Sequence, residues 1–408
     1  MKQNPYRLTI LACYLCIFSQ AIVVNLVPIL FIPLKEQFGF SFEQLGVLVL
    51  INFVTQVTFD LLFSNAIDKY GFRRFILATP ILTVTGFIIF ALSPLLFENP
   101  YIGFVIGTII FSGSGGLSEL LVSPIINAIP SDAKASAMSL LHSFYAWGQV
   151  AVVILTTLLL LFFGKGSWQI IMLGWMILPV INFFLFLKAP LAPPVPEEKR
   201  LGMKDLILKP FFIVAVLIML FGGASEIGIS QWSSAFMEKG LELPKAVGDI
   251  LGMSLFALFL GAGRALYGVY GHKCRVHNVM LVGAAAAFIC YITVALCDVK
   301  IISLLACGIC GIAVSLLWPG TLVVASEKYP LAGAWMFAIL AAGGDIGGSL
   351  GPWLMGKVAD CGPQIASFIN SASFTAEQIG LKASMLVGAI FPLACFFCLI
   401  AAKKLHVK

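Results

Sequence analysis

The stretch SNAIDKYGFRR, Ser64 to Arg74, sets the frame in which the rest of the chain is read. It is a short charged segment between two long apolar runs, and a second acid, Asp60, stands in the run before it. Charge this dense between two membrane-length segments belongs in water at a membrane face, so it fixes where both neighbouring helices end. Outward from it, apolar runs long enough to cross ~30 Å of hydrocarbon, about 20 helical residues each, recur twelve times. They lie at approximately 8–33, 42–64, 75–96, 101–129, 137–163, 168–188, 210–236, 244–270, 277–297, 300–325, 331–358 and 379–404.

Composition agrees with that reading. The chain is 60% hydrophobic and 11% charged, whereas soluble domains carry about 25% charged residues. The expected fold class is therefore an all-α integral membrane protein with twelve transmembrane helices. The first run is too long for the apolar core of a cleaved signal peptide and no small-residue cleavage site closes it, so it is expected to be retained. One long polar, Pro-rich break, residues 189–209 with PLAPPVPEEKR at its centre, divides the twelve runs into six and six. The expected organisation is an N-terminal bundle over 1–188, a linker over 189–209 and a C-terminal bundle over 210–408.

With both termini and the linker on one side and the loops alternating, seventeen of the 25 Lys and Arg residues fall on that side, seven on the other, and Arg264 lies inside a helix. Basic loops stay cytoplasmic, so both termini and the linker are expected in the cytoplasm of a multi-pass protein of the cell (inner or plasma) membrane. The net charge of +6 is then a property of those loops and calls for no nucleic-acid partner. The ten cysteines include three C-x-x-C pairs, Cys13/Cys16, Cys307/Cys310 and Cys395/Cys398, each inside an apolar run. None has a nearby His or acid to complete a zinc shell, so they read as small buried hydrophobes. No metal, cofactor or disulfide framework is expected.

The two halves echo one another. GRALYGVYGHKCR, Gly263 to Arg275, can be laid over the opening stretch with Gly268 at Ser64, His272 at Asp68 and Lys273 at Lys69. The acid is lost in the second copy, and Arg264 falls opposite Asp60. A weaker echo sets Pro124 of SELLVSPIINAIP against Pro319 of SLLWPGTLVVASEKYP.

Ser64–Arg74 resembles the loop between the second and third helices of major facilitator superfamily transporters, whose pattern is Gly-x-x-x-Asp-Arg/Lys-x-Gly-Arg-Arg/Lys. Asp68, Lys69, Gly71, Arg73 and Arg74 match, while Ser64 stands where Gly is usual. The resemblance covers the whole chain. It implies two parallel six-helix repeats that rock about a midplane site. It also implies that Asp68, Arg73 and Arg74 make charge contacts with neighbouring helices that hold the outward-facing state.

Charges inside a membrane cost several kcal/mol unless paired or set in a wet cavity, which marks them as functional candidates. They are Asp60, Glu119, Glu226, Arg264 and Asp345, with His142 as a titratable sixth. Glu119 sits in GSGGLSELLVSP, where Gly113, Gly115 and Gly116 let a neighbouring backbone or a ligand approach closely. There it can bind a proton and accept a bond from a sugar hydroxyl, or simply bond to a neighbouring helix. SELLVSPIIN resembles the fourth helix of the fucose and glucose branch of the superfamily. The acid which that branch carries in its first helix is absent here, leaving Gln20 and Asn25 as the strongly polar residues of that run. His142, Tyr145 and Gln149 share one side of LLHSFYAWGQ, with Trp147 close by, an arrangement that suits a hydroxylated ring or a plain helix contact. Glu226 in GGASEIGISQW, followed by Gln231 and Trp232, reads as an acid on a bent helix bordering a cavity. Two roles are open to Asp345 in AAGGDIGGSLGPW: binding a coupling cation, or pairing with Arg264 or Lys273 in a gate. Asp60 shares that ambiguity and, near the charged stretch, is placed with the gate.

Neither a Walker loop nor a dinucleotide fingerprint is present, so ATP-driven transport by this chain is not expected and the protein is read as no enzyme. The leading expectation is a monomeric secondary active transporter taking up a small polar solute, a sugar or polyol, in symport with H+ or another cation such as Na+. Its rival is a drug or metabolite exporter of the same fold. Exporters usually carry a Gly-x-x-x-Gly-Pro-x-x-Gly-Gly-like signature on the fifth helix, absent from SFYAWGQVAVV, although GSLGPWLMG occurs in the eleventh run. A non-transporting receptor is disfavoured, because a protein with no cavity to line gains nothing from intramembrane acids.

Overall fold

Twelve apolar runs become twelve long helices in a computed structural model, which describes residues 5–40, 42–131, 133–192, 206–243, 248–369 and 374–407. Every regular element among the described residues is helical. Residues 193–205 at the centre of the expected linker lie outside them, as do the side chains of Asp68 and His272. The long helices are α1 (Arg7–Ile29), α2 (Phe42–Tyr70), α3 (Phe72–Leu96), α4 (Pro100–Ala128), α5 (Lys134–Phe163) and α6 (Lys165–Lys188), followed by α7 (Pro210–Ala235), α8 (Leu255–Tyr270), α9 (Val276–Leu296), α10 (Lys300–Lys328), α11 (Ala334–Asp360) and α12 (Ala376–Leu405). Among the described residues eleven are long and apolar enough to cross a membrane, α8 when taken from Leu251. The exception is α11, which has the length at 27 residues but is diluted by Asp345 and by Gly343, Gly344, Gly347, Gly348 and Gly351.

The charged stretch is not a loop. Helix α2 continues through Asp68 and Lys69 to Tyr70, and α3 opens at Phe72 with Arg73 and Arg74 in its first turn. The reversal is left to Gly71 alone, whose φ of 80° and ψ of 167° an L side chain rarely adopts. Polar residues can stay helical once past the hydrocarbon, so the chain needs one permissive residue where the hydropathy pattern marks a wider gap.

Chain contacts gather the protein into two compact units. One comprises Met1–Asp132, Phe144–Leu201 and Leu331–Ala341; the other comprises Ala133–Ser143, Gly202–Pro330 and Ala342–Lys408. The start of α5 is thus grouped with the second unit and the start of α11 with the first. In the first unit, Phe87, Phe90, Phe104, Phe111 and Trp168 form a buried aromatic core. Phe90 and Phe104 have ring centroids 4.5 Å apart, and the Trp168 indole N–H donates to Gln37 Oε1 at 2.6 Å. That bond meets the rule that a buried indole finds an acceptor.

In the second unit the glycines of α11 bring its backbone against α7. Lipid offers no hydrophobic drive between helices, so close backbone approach supplies the packing. A methyl group on Gly347 would overlap the Leu220 carbonyl oxygen, and one on Gly351 would come within 2.9 Å of the Ala224 Cβ. Gly347→Ala should therefore push α11 off α7 and cost about 1–3 kcal/mol. Thermal unfolding in detergent will show it as a lowered midpoint, and an unchanged midpoint would mean that the two helices are not held this closely.

Candidate functional site

In the first unit, polar side chains from α1, α2 and α4 converge. Gln20 on α1 is buried and donates through Nε2 to Glu119 Oε2 on α4 at 3.0 Å. Asp60 on α2 is fully buried, and carboxylate oxygens of Asp60 and Glu119 lie within 4.8 Å of one another. Two negative charges at that spacing repel by about 3 kcal/mol at an effective dielectric near 20. A proton or a cation taken up by the pair relieves the repulsion. The pair can therefore act as a charge store that fills and empties.

The surroundings are polar and tightly built. Cys16 Sγ donates to Ser118 Oγ at 3.3 Å, and Thr83 and Ser114 share a hydroxyl–hydroxyl bond of 2.6 Å. Asn52 Nδ2 donates to the Val23 carbonyl at 3.0 Å, and Gln56 Nε2 donates to Asn52 Oδ1. The glycines of α4 admit α2: a methyl on Gly116 would lie 2.6 Å from the Gln56 carbonyl oxygen, and one on Gly113 would lie 2.6 Å from the Phe59 ring. Gly116 thus faces the α2 backbone, while Gly113 and Gly115 face the side chains of Phe59 and Gln56. Gln20, Asn52 and Gln56 escape a search for intramembrane charge because amides carry none. The signal that finds them is any amide in an apolar run.

In the second unit, Glu226 on α7 meets Arg264 on α8. The Arg264 Nη2 group donates to both Glu226 oxygens, at 2.9 and 2.7 Å, with the two side chains only 3% and 8% exposed. Arg264 Nε donates to the Ser315 carbonyl at 2.9 Å and Nη1 to the His142 carbonyl at 3.2 Å, while Ser139 Oγ donates to the Arg264 carbonyl at 2.7 Å. The carboxylate that Arg264 holds is that of Glu226, and Asp345 stands buried on α11 beside Gly344. Trp232 donates its indole N–H to the Pro352 carbonyl at 3.0 Å, and Gln231 beside it is exposed.

The remaining candidates are more dispersed. Asn25 is half-buried and donates within its own helix to the Ala21 carbonyl at 2.8 Å. On α5, His142 and Gln149 are buried and Trp147 is half-buried. In the charged stretch Lys69 and Arg74 are exposed, with the Lys69 ammonium 5.4 Å from the Tyr70 ring centroid. Arg73 donates to the carbonyls of Phe186 at 2.7 Å and Ala189 at 2.8 Å, serving the C-terminal end of α6. Those carbonyls lack helical partners and carry the negative end of the helix dipole, so a guanidinium is the fitting cap.

The chain matches the family model of the Major Facilitator Superfamily over residues 13–352. No curated protein matches it. Among solved structures it is similar to the E. coli fucose:proton symporter FucP, with 14% identity, a TM-score of 0.77 and coverage of 97% of this chain and 99% of that one. The proton:xylose symporter XylE gives 14% identity and a TM-score of 0.81, over 97% of this chain and 95% of that one. The human organic anion transporter TETRAN gives 15% identity and a TM-score of 0.71, over 97% and 100%.

Proposed function

The chain belongs to the major facilitator superfamily and is a multi-pass membrane transporter, and on that basis we propose that it takes up a small hydroxylated solute, a sugar or polyol, in symport with a proton. The observation that carries this reading is the cluster of Glu119, Asp60 and Gln20 inside the first unit. It offers a carboxylate pair to hold the coupling proton and, in Gln20 and the Glu119 oxygens, groups that hydrogen-bond hydroxyls. The similarity to structures of a fucose:proton and a proton:xylose symporter supports the same class of solute. His142, Trp147, Gln149, Gln231, Trp232, Asp345 and Asn25 complete the proposed solute and coupling set. Six-helix bundles over 1–188 and 210–408 alternate access about it. The termini and the 189–209 linker face the cytoplasm of the cell membrane, the working form is a monomer, and Asp68, Lys69, Gly71, Arg73 and Arg74 serve the gate.

Reconstituted protein loaded into vesicles should accumulate at least one of L-fucose, D-xylose and D-glucose when the outside is made acidic, and uptake should collapse when a protonophore is added. Vesicles that accumulate none of the three while extruding cationic dyes would replace this reading with export.

A further inference from the structure

We infer that Arg264 is a positioning residue: its guanidinium, neutralised by Glu226, replaces the backbone donor that Pro319 lacks and so holds the break of α10 in place. Helix α10 consists of two segments, Lys300–Val314 and Leu317–Lys328, joined through Ser315 and Leu316. In an unbroken helix the Ser315 carbonyl accepts from the N–H of residue 319, four positions on. Residue 319 is proline, which has no N–H and whose ring crowds that same carbonyl. The donor that reaches Ser315 O is Arg264 Nε at 2.9 Å, from α8. The Ile312 carbonyl is satisfied locally, accepting from the Ser315 N–H at 3.2 Å and from Ser315 Oγ at 2.6 Å. Gly263, one residue before Arg264, makes the approach possible, because a methyl there would stand 2.6 Å from Ser315 Oγ.

Past the break, the second segment of α10 packs on its neighbours. Leu317 lies against Gly222 of α7, and the ring of Trp318 covers Gly344 of α11, next to Asp345. A charged donor buried this deeply needs a counter-charge, and Glu226 supplies it across two bonds. Glu226 is thereby assigned to Arg264, and the inference holds whatever solute is carried.

Hydrogen–deuterium exchange of the full chain in detergent micelles, read on peptides covering residues 312–322, tests this without a solute. Arg264→Gln combined with Glu226→Gln removes the donor and leaves no stranded charge; exchange there should rise about tenfold while first-unit peptides stay unchanged. Adding Pro319→Ala to that pair restores a backbone N–H at position 319 and should return exchange to within about twofold of the starting protein. If the paired glutamine variant does not fold, Arg264→Lys keeps the charge without the planar fork and should raise exchange to a similar degree. Exchange that stays unchanged on losing the guanidinium, or that Pro319→Ala fails to restore, overturns the inference.

Discussion

Glu119→Gln is expected to abolish uphill accumulation of sugar and to cut proton-driven uptake by about a hundredfold, a loss on the scale of removing a positioned proton-transferring group. The amide is nearly the shape of the carboxylic acid, and Gln20 on α1 keeps a partner within reach of its 3.0 Å bond, so the fold should stand. What disappears is the charge that a proton fills. Asp60, within 4.8 Å in the parent protein, no longer faces the Glu119 carboxylate, and the repulsion between those two charges is gone. Exchange of sugar between the two faces at equal concentration should survive, because that step moves no net proton. The contrast between lost accumulation and retained exchange is read by comparing gradient-driven uptake with counterflow. A glutamine amide still bonds a hydroxyl, so loss of both would show that the Glu119 charge is needed to bind the solute and is not confined to coupling.

The second large effect is on stability. Glu226→Gln alone leaves the Arg264 charge buried without its carboxylate and should cost about 3–5 kcal/mol. Set against total stabilities of about 5–15 kcal/mol, that is enough to lower the yield of folded protein sharply. Arg264→Gln with Glu226→Gln should recover most of the loss, since no charge is stranded. The remainder should be confined to the α10 break, where Ser315 has lost its donor. Unfolding midpoints of the single and double variants by size-exclusion in detergent decide the matter: a single variant as stable as the parent would mean that the pair is not buried as described.

Most of the fold is legible in hydropathy, because a bilayer forces backbone groups to pair within each segment and leaves long apolar helices as the solution. The exceptions have local causes. Ser64–Arg74 reads as a loop by charge, yet only Gly71 leaves the helical conformation. The eleventh run is long enough but glycine-diluted, because its backbone lies against α7. Pro124 and Pro319 look alike as a repeat echo, yet α4 runs through Pro124 unbroken while α10 is interrupted at Ser315 and Leu316, before Pro319.

The site is less legible. Glu119, Glu226 and Arg264 stand out singly as intramembrane charges, but pairing across helices is a tertiary fact. Glu226 and Arg264 are 38 positions apart in sequence, and the repeat echo sets Arg264 against Asp60 instead. Asp60 reads as a gate residue for its nearness to the charged stretch, and its distance to Glu119 emerges only when α2 packs on the glycines of α4. The amides Asn52 and Gln56 carry no charge to draw attention, and only a search for amides in apolar runs would find them before their bonds are seen.

The link between solute and proton is best read as a pH change in lightly buffered medium around de-energised vesicles, when the sugar that the reconstituted protein takes up best is added outside. Inward symport through Glu119 predicts that the medium turns alkaline with the parent protein and stays level with Glu119→Gln. Sugar entry with no pH change, or an alkaline shift that persists in Glu119→Gln, would contradict it.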